Sequence, residues 1–243
     1  MRVHHGMLKE VVKLGLLSIA VAMTSACSKE VGWKEEVLLH DGSKMIVERS
    51  QDYGGRSEPG QSPPIKEHTI NFTLPGSKKT ITWTSEFGKD VGRANFNLLA
   101  VHVLDGTPYL IVEPNLCLSY NKWGRPNPPY VFFKYDGKAW QRIQPTELPP
   151  EFKTINLIVN NGREEDIEKA ARRLGYVSVE GVKQLNSSLP QPEYRTILRE
   201  AVKPGSVVGS SVNCESMVHY KCGWVGTNPD GTFNKEFMDR MCK

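Results

Sequence analysis

The chain has 243 residues, 39% hydrophobic and 24% charged, with 31 Lys and Arg against 27 Asp and Glu for a formal net charge of +4. So small a charge is no nucleic-acid footprint, which needs a concentrated basic face. The length supports a substantial core, as one domain or one domain with an appendage. The 16 prolines and 21 glycines fall between apolar stretches, as in a β-rich domain.

Residues 1–13 carry Arg2, Lys9 and Lys13 against one acid, Glu10; Leu14 to Met23 are then apolar apart from Gly15 and Ser18, and Thr24-Ser25-Ala26 are small. A basic region, a short apolar region and a small-residue cleavage site make a secretory signal. A membrane span is the competing reading, but it needs roughly 20 apolar residues, about twice this run. Met23-Thr24-Ser25-Ala26-Cys27 resembles the lipobox of bacterial lipoproteins, with Thr24 where an aliphatic residue is usual. The resemblance implies removal of residues 1–26 and acylation of Cys27 by palmitate-type chains; the competing reading is an ordinary signal with an incidental cysteine. Several acyl chains hold a protein firmly to a bilayer, whereas one is marginal. Ser28 follows where Asp would resemble an inner-membrane retention signal, so the expected address is the outer membrane, facing the periplasm.

Residues 27–32 read as anchor and linker, and residues 33–160 as a β domain. Strand-like pairs joined by tight turns recur in it: Glu36 to His40 and Lys44 to Arg49 about Asp41-Gly42, and His68 to Leu74 and Lys79 to Trp83 about Pro75-Gly76. Two more are Asn97 to Leu104 and Pro108 to Val112 about Asp105-Gly106, and Tyr130 to Tyr135 and Ala139 to Ile143 about Asp136-Gly137. Asp-Gly supplies the positive φ that hairpin turns demand. Ile70, Phe72 and Leu74 alternate with polar residues, predicting one buried face, while Asn97 to Leu104 is nearly all apolar and predicts a central place. With Thr154 to Val159 as a further strand, the pattern predicts a β-rich α+β fold: an antiparallel meander of about eight or nine strands, barrel or sandwich. Gln51 to Ile65, rich in Gly and Pro, reads as a surface loop or as a binding loop on a rigid sheet.

Residues 161–243 are predicted to be a helical region packed on the β domain. Arg163 to Leu174 has acids early, bases late and Gly175 just beyond, which suits a helix. Ser178 to Leu189 is a second helix weakened by Gly181, Glu193 to Val202 fits either state, and two short helices are expected near Cys214–Cys222 and Lys235–Cys242. Besides Cys27 the chain has Cys117, Cys214, Cys222 and Cys242; an even number in an exported protein reads as two disulfides. A helix from 214 to 222 would hold those two cysteines roughly 12 Å apart, too far for a bridge. That excludes one of the three possible pairings; of the two left, Cys117–Cys214, tying the tail to the β region, with Cys222–Cys242, closing the tail on itself, is favoured. Zinc competes, but no Cys-x2-Cys or His-x3-His spacing supports a metal site, and no cofactor motif is present.

No Gly-x-Ser-x-Gly elbow surrounds Ser210 and Ser211, and no Walker loop, Gly-x-Gly-x-x-Gly or His-Glu-x-x-His occurs. His40 is expected to be solvated and His102 to be a satisfied core histidine. Glu35 and Glu36 are adjacent, so a strand points them to opposite faces, against a paired-carboxylate site. The richest recognition candidate is Asn115 to Tyr130, whose Tyr120, Trp123, Arg125 and Tyr130 could stack on sugar rings or hold a peptide. Its structural reading is a loop pinned by Cys117 whose Trp caps the core.

Trp33-Lys34-Glu35-Glu36-Val37 with His40-Asp41-Gly42, Val47 to Gln51, the Asn115 to Gly137 block and Leu185-Asn186-Ser187-Ser188 through Arg199-Glu200 resemble a family of proteobacterial hypothetical lipoproteins. The resemblance spans about Trp33 to Trp224; that family has no assigned activity, so it implies export and carries over no functional residues. Three functions are expected to compete: a lipid-anchored module binding another envelope protein or glycan, a periplasmic hydrolase of glycan or cell wall, and an inhibitor of an exogenous enzyme such as lysozyme.

Overall fold

The computed structural model describes residues 29–159, 162–205 and 210–243. The signal segment and Cys27 lie outside them. The first strand, β1 (Glu30–Leu38), starts before Trp33 and is followed by β2 (Lys44–Tyr53), β3 (Ile65–Thr73) and β4 (Thr80–Ser85), which form one antiparallel sheet in sequence order. Two short strands, β5 (Phe87–Gly88) and β6 (Arg93–Ala94), pair with each other and lead into β7 (Phe96–Leu104) and β8 (Thr107–Pro114). After helix α1 (Leu116–Lys122), β9 (Val131–Tyr135) and β10 (Trp140–Ile143) complete a second sheet, ordered β10-β9-β8-β7. The two meanders face each other as a sandwich: Val47, Ile70, Phe72 and Trp83 of the first pack with Phe96, Leu110, Val112 and Val131 of the second in one core.

Local chemistry sets these pairings. At the β7–β8 turn Asp105 and Gly106 have φ of 49° and 72°, the conformation that a two-residue turn requires and that Asp-Gly tolerates. In the first sheet Met45, Val47, Arg49 and Gln51 are buried while Lys44, Ile46 and Glu48 are exposed, the period-two alternation of a strand with one wet face. The second sheet is covered on both faces. Behind it Leu99, Ile111 and Phe132 pack against Leu148, Phe152, Ile155 and Ile197, which is why β7 is buried along nearly its whole length although it is an edge strand.

Residues 154–159, expected as a strand, instead run extended between the edges of the two sheets. Leu157 N donates to Leu99 O at 3.1 Å, but the neighbouring bonds are made by a side chain. Asn156 accepts from Val101 N (3.0 Å) and donates to Val101 O (2.8 Å) and Leu38 O (3.0 Å). Asparagine thus closes the open edge of β7 and ties it to β1, a protection that exposed sheet edges need.

The remainder contains helices α2 (Glu164–Ala171) and α3 (Val179–Ser187), the hairpin β11 (Met217–Tyr220) and β12 (Gly223–Gly226), and α4 (Lys235–Met241). Ser178 caps α3, accepting from Gly181 N. A Cβ on Gly181 would lie 2.8 Å from Val177 Cγ1, so the glycine that weakens the helix is what lets it sit this close to the chain entering it. The helix expected near Cys214–Cys222 is the β11–β12 hairpin. Val218 opposes Val225 and His219 opposes Trp224, pairs of β-branched and aromatic residues that favour strands, and Lys221 takes the turn at φ 51°. Both disulfides are nonetheless Cys117–Cys214 and Cys222–Cys242. The pairing holds although the helix used to argue for it is absent: the hairpin turns Cys222 toward α4, while Cys214 lies before the hairpin beside α1.

Candidate functional site

The structure gathers Tyr120, Trp123, Arg125 and Tyr130, buries the two tyrosines and leaves Trp123 and Arg125 half-buried. Tyr120 and Tyr130 are each 2% exposed. The Tyr130 hydroxyl donates to the carbonyls of Glu193 (3.0 Å) and Thr196 (3.2 Å), and burial pushes its ionisation upward. Trp123 packs on Phe96 with ring centroids 4.4 Å apart. Arg125 stacks over the Tyr120 ring and donates to Cys214 O (2.7 Å) and Glu215 O (2.9 Å). These bonds fix the Cys117–Cys214 region to the sandwich, and α1 replaces the loop expected from 115 onward. In the other candidate loop, Gly54 N and Gly55 N donate to Pro64 O and Arg56 N to Gly92 O. Its base is pinned and its tip is exposed.

His40, His68 and His102 pack into the fold, whereas His219 on β11 is exposed. His102 is fully buried, stacks on Phe152 at 4.6 Å and shares a 3.0 Å bond with Thr154 O; burial lowers its pKa to about 4. His40, expected in solvent, is half-buried with its ring 5.2 Å from Phe152, because the residues covering the second sheet also reach the first hairpin. His68 faces the core beside Gln51 (3.2 Å), and burial, reinforced by the nearby Arg49 charge, drives its pKa to about 3.

Glu35 and Glu36 do take opposite faces. Glu35 is buried and meets Arg49 at 2.9 Å, with the two side chains 0% and 1% exposed. Trp33 Nε1 and Ile158 N also donate to Glu35, and Arg49 donates to Ile158 O. Arg49 and Gln51 share strand parity with Met45 and Val47, the sequence signal that could have placed them in the core. Among the described residues no group of three or more His, Cys, Asp or Glu is arranged to hold a metal ion, and no helix is long and apolar enough to cross a membrane.

Two clefts remain. The first, about 410 Å³, lies between β1, residues 154–156 and α3. Leu38, Ile155, Val179 and Val182 form its apolar wall, and Lys183 and Arg195 stand exposed at its rim. Glu36 also lines it, but its carboxylate is engaged by Lys44 Nζ (3.1 Å) and Val179 N (3.2 Å). Asn186 is spent holding Leu157 O and Val159 N. A concave, mostly apolar space with a few polar groups at its margin is the usual form of a ligand site.

The second cleft, about 360 Å³, is more polar than the first and contains Glu113, Arg93, Asn97, Tyr194 and Ser211. Glu113 is 4% exposed and accepts from Tyr194 OH at 3.0 Å and Ser211 Oγ at 3.4 Å. Burial pushes its carboxyl up to about 7; the two hydroxyls oppose that rise and the neighbouring Glu193 adds to it. Sequence reasoning missed Glu113, which stands among apolar residues of β8 with no motif around it.

No protein-family model, no curated protein and no solved structure matches this chain.

Proposed function

We propose that the chain is an exported protein of a bacterial cell envelope, anchored by acylation of Cys27 to the outer membrane and facing the periplasm, and that it works by binding another envelope component, protein or glycan. One observation carries this reading. The two disulfides consume all four cysteines after position 27, so the fifth is the cysteine that closes the basic, apolar and small N-terminal segment. Disulfides persist in oxidising compartments, and a cysteine left over in an exported chain calls for a separate role. The binding half of the reading is supported by the apolar cleft at the β1 edge and by the internal use of the conspicuous polar side chains, Glu35, Arg49, Asn156 and Asn186.

Cell fractionation tests the anchor. The wild-type chain is expected in the membrane fraction and a Cys27→Ala variant in the soluble periplasmic fraction or uncleaved; equal partition of the two would contradict acylation. Co-purification from detergent-solubilised envelopes and pull-down on peptidoglycan test the binding role, and failure to enrich any protein or glycan would contradict it.

A hydrolase is the second reading, favoured by Glu113. A buried carboxyl with a pKa near neutrality, bonded to Tyr194 and Ser211 inside a cleft, has the properties of a general acid. Release of soluble fragments from peptidoglycan that is lost in Glu113→Gln would establish it; equal release, or none, would refute it.

A further inference from the structure

Beside the apolar cleft, the pattern of bonding along β1 leaves one backbone donor and one backbone acceptor open among the described residues. Lys29 pairs with Tyr53 and Leu39 with Ser43 through backbone bonds, so the odd residues of β1 bond to β2 and the even residues direct their N–H and C=O to the free edge. Some of those edge groups are already used. Val177 N donates to Lys34 O at 2.9 Å, Glu36 N donates to Val177 O at 2.8 Å, and Leu38 O accepts from Asn156. The next rung would be residue 179, but the chain has by then turned into α3, and Val179 N goes to the Glu36 side chain instead. Among the described residues Glu36 O and Leu38 N are left without a partner, and both residues line the 410 Å³ cleft.

We propose that this cleft receives a short extended peptide bearing an apolar side chain followed by an acidic one, its main chain continuing the β1 edge parallel to β1 where Val177 stops. One peptide residue donates its N–H to Glu36 O and accepts from Leu38 N–H, reproducing at residues 36 and 38 the rung that Val177 makes at 34 and 36. Such strand addition takes affinity from main-chain bonds and specificity from the side-chain pocket. Leu38, Ile155, Val179 and Val182 supply that pocket. Charge complementarity sets the acidic neighbour: the exposed cations Lys183 and Arg195 stand at the rim, whereas the one acid there, Glu36, is neutralised by Lys44. Because Leu38 O is taken by Asn156 and Glu36 N by Val177, one rung is open at the cleft among the described residues, which suits a short peptide or a chain end over a long strand. The proposal rests on the binding reading above and names the chemistry of its partner.

The test uses the full-length protein purified from cells that export it and a fluorescent probe, acetyl-Thr-Val-Leu-Asp-Glu-amide, followed by anisotropy. Binding is expected, with N-methylation of one peptide residue weakening it about tenfold, the scale of one lost main-chain hydrogen bond, and methylation elsewhere having less effect. Lys183→Glu, an exposed change that leaves the core intact, is expected to weaken binding severalfold and to remove its salt dependence. Ser187→Trp, an exposed change at the cleft lining checked for an unchanged melting transition, should fill the cleft and abolish binding. Absence of probe binding would overturn the proposal, as would indifference to N-methylation at every residue. Binding of decanoate with no binding of the peptide would overturn it in favour of an acyl-chain site. Membrane release by Cys27→Ala is read independently, so failure here leaves the anchor untouched, and failure of the anchor leaves the cleft to be judged alone.

Discussion

Residues 29–143 bury apolar side chains between two sheets, whereas the described residues after 144 fix their course largely by side chains bonded to backbone carbonyls and by disulfides. In the first region Val37, Val47, Ile70, Leu110 and Val112 are at most 0% exposed and form one core. In the second, Arg199 alone donates to Leu148 O (3.1 Å), Pro149 O (2.7 Å) and Phe152 O (2.7 Å). Asn186 holds Leu157 and Val159, and Asn127 holds both the N–H and the C=O of Val202. Irregular chain that is buried must have its polar backbone groups satisfied somehow, and here Arg and Asn do what a ladder does in a sheet. The difference teaches where substitution is tolerated: an apolar core accepts a near-isostere, while a guanidinium fork bonded to three carbonyls has no close substitute.

The sharpest way to break this comparison is at Glu35, where the sandwich uses a buried ion pair. Glu35→Ala strands the Arg49 charge in the core and is expected to cost about 3–5 kcal/mol in denaturant unfolding; a cost under about 1 kcal/mol would mean that Arg49 reaches water.

The disulfides come next. Replacing both members of either pair by Ser should cost about 2–5 kcal/mol. The Cys117–Cys214 bridge spans 97 residues and Cys222–Cys242 spans 20, so loss of the longer closure should cost about 1.4 kcal/mol more by loop entropy. Equal losses would show that loop entropy does not set the difference between the two bridges.

A pH series probes the polar end of the sandwich. His68 has its folded-state pKa held near 3 against an ordinary 6.5. Above pH 6.5 it is neutral in both states and contributes nothing to the pH dependence. As pH falls through the window from 6.5 to about 3, the unfolded chain takes up a proton that the folded chain refuses. Stability therefore drops by about 1.4 kcal/mol per pH unit from this residue, an effect that His68→Gln should remove and that unfolding curves at pH 5 and 7 would reveal.

The smallest effects sharpen the contrast directly. Arg199→Lys should cost about 1–3 kcal/mol by leaving carbonyls unbonded, against about 0.5–1.5 kcal/mol for Ile111→Val in the fully buried face of β8. The reverse order in thermal unfolding would mean that the second region is held by apolar contacts after all.

The same difference explains what was legible in the sequence. Hairpins about Asp41-Gly42 and Asp105-Gly106 announced themselves because turn chemistry and period-two alternation are local signals. Helix α3 did so through the spacing of its apolar residues Val179, Val182 and Leu185. The extended run through Asn156 was mistaken for a strand because its apolar residues match one, while its bonds come from a side chain reaching Val101 and Leu38 far away in sequence. The hairpin at β11–β12 was mistaken for a helix because four-residue strands are too short for either period to declare itself. The inward turn of Tyr120 and Tyr130 depends on the carbonyls of Glu193 and Thr196 and on the packing of a distant segment. Glu113 and the open rung at Glu36 and Leu38 depend on which chain covers which edge, which no local pattern encodes.

The most direct test of the central claim is the intact mass of the protein extracted from membranes, with and without reductant. The expected mass is that of a chain beginning at an acylated Cys27, rising by about four hydrogens on reduction, two for each disulfide. An unacylated mass, or a mass unchanged by reductant because all four thiols are already free, would contradict an anchored, oxidised envelope protein.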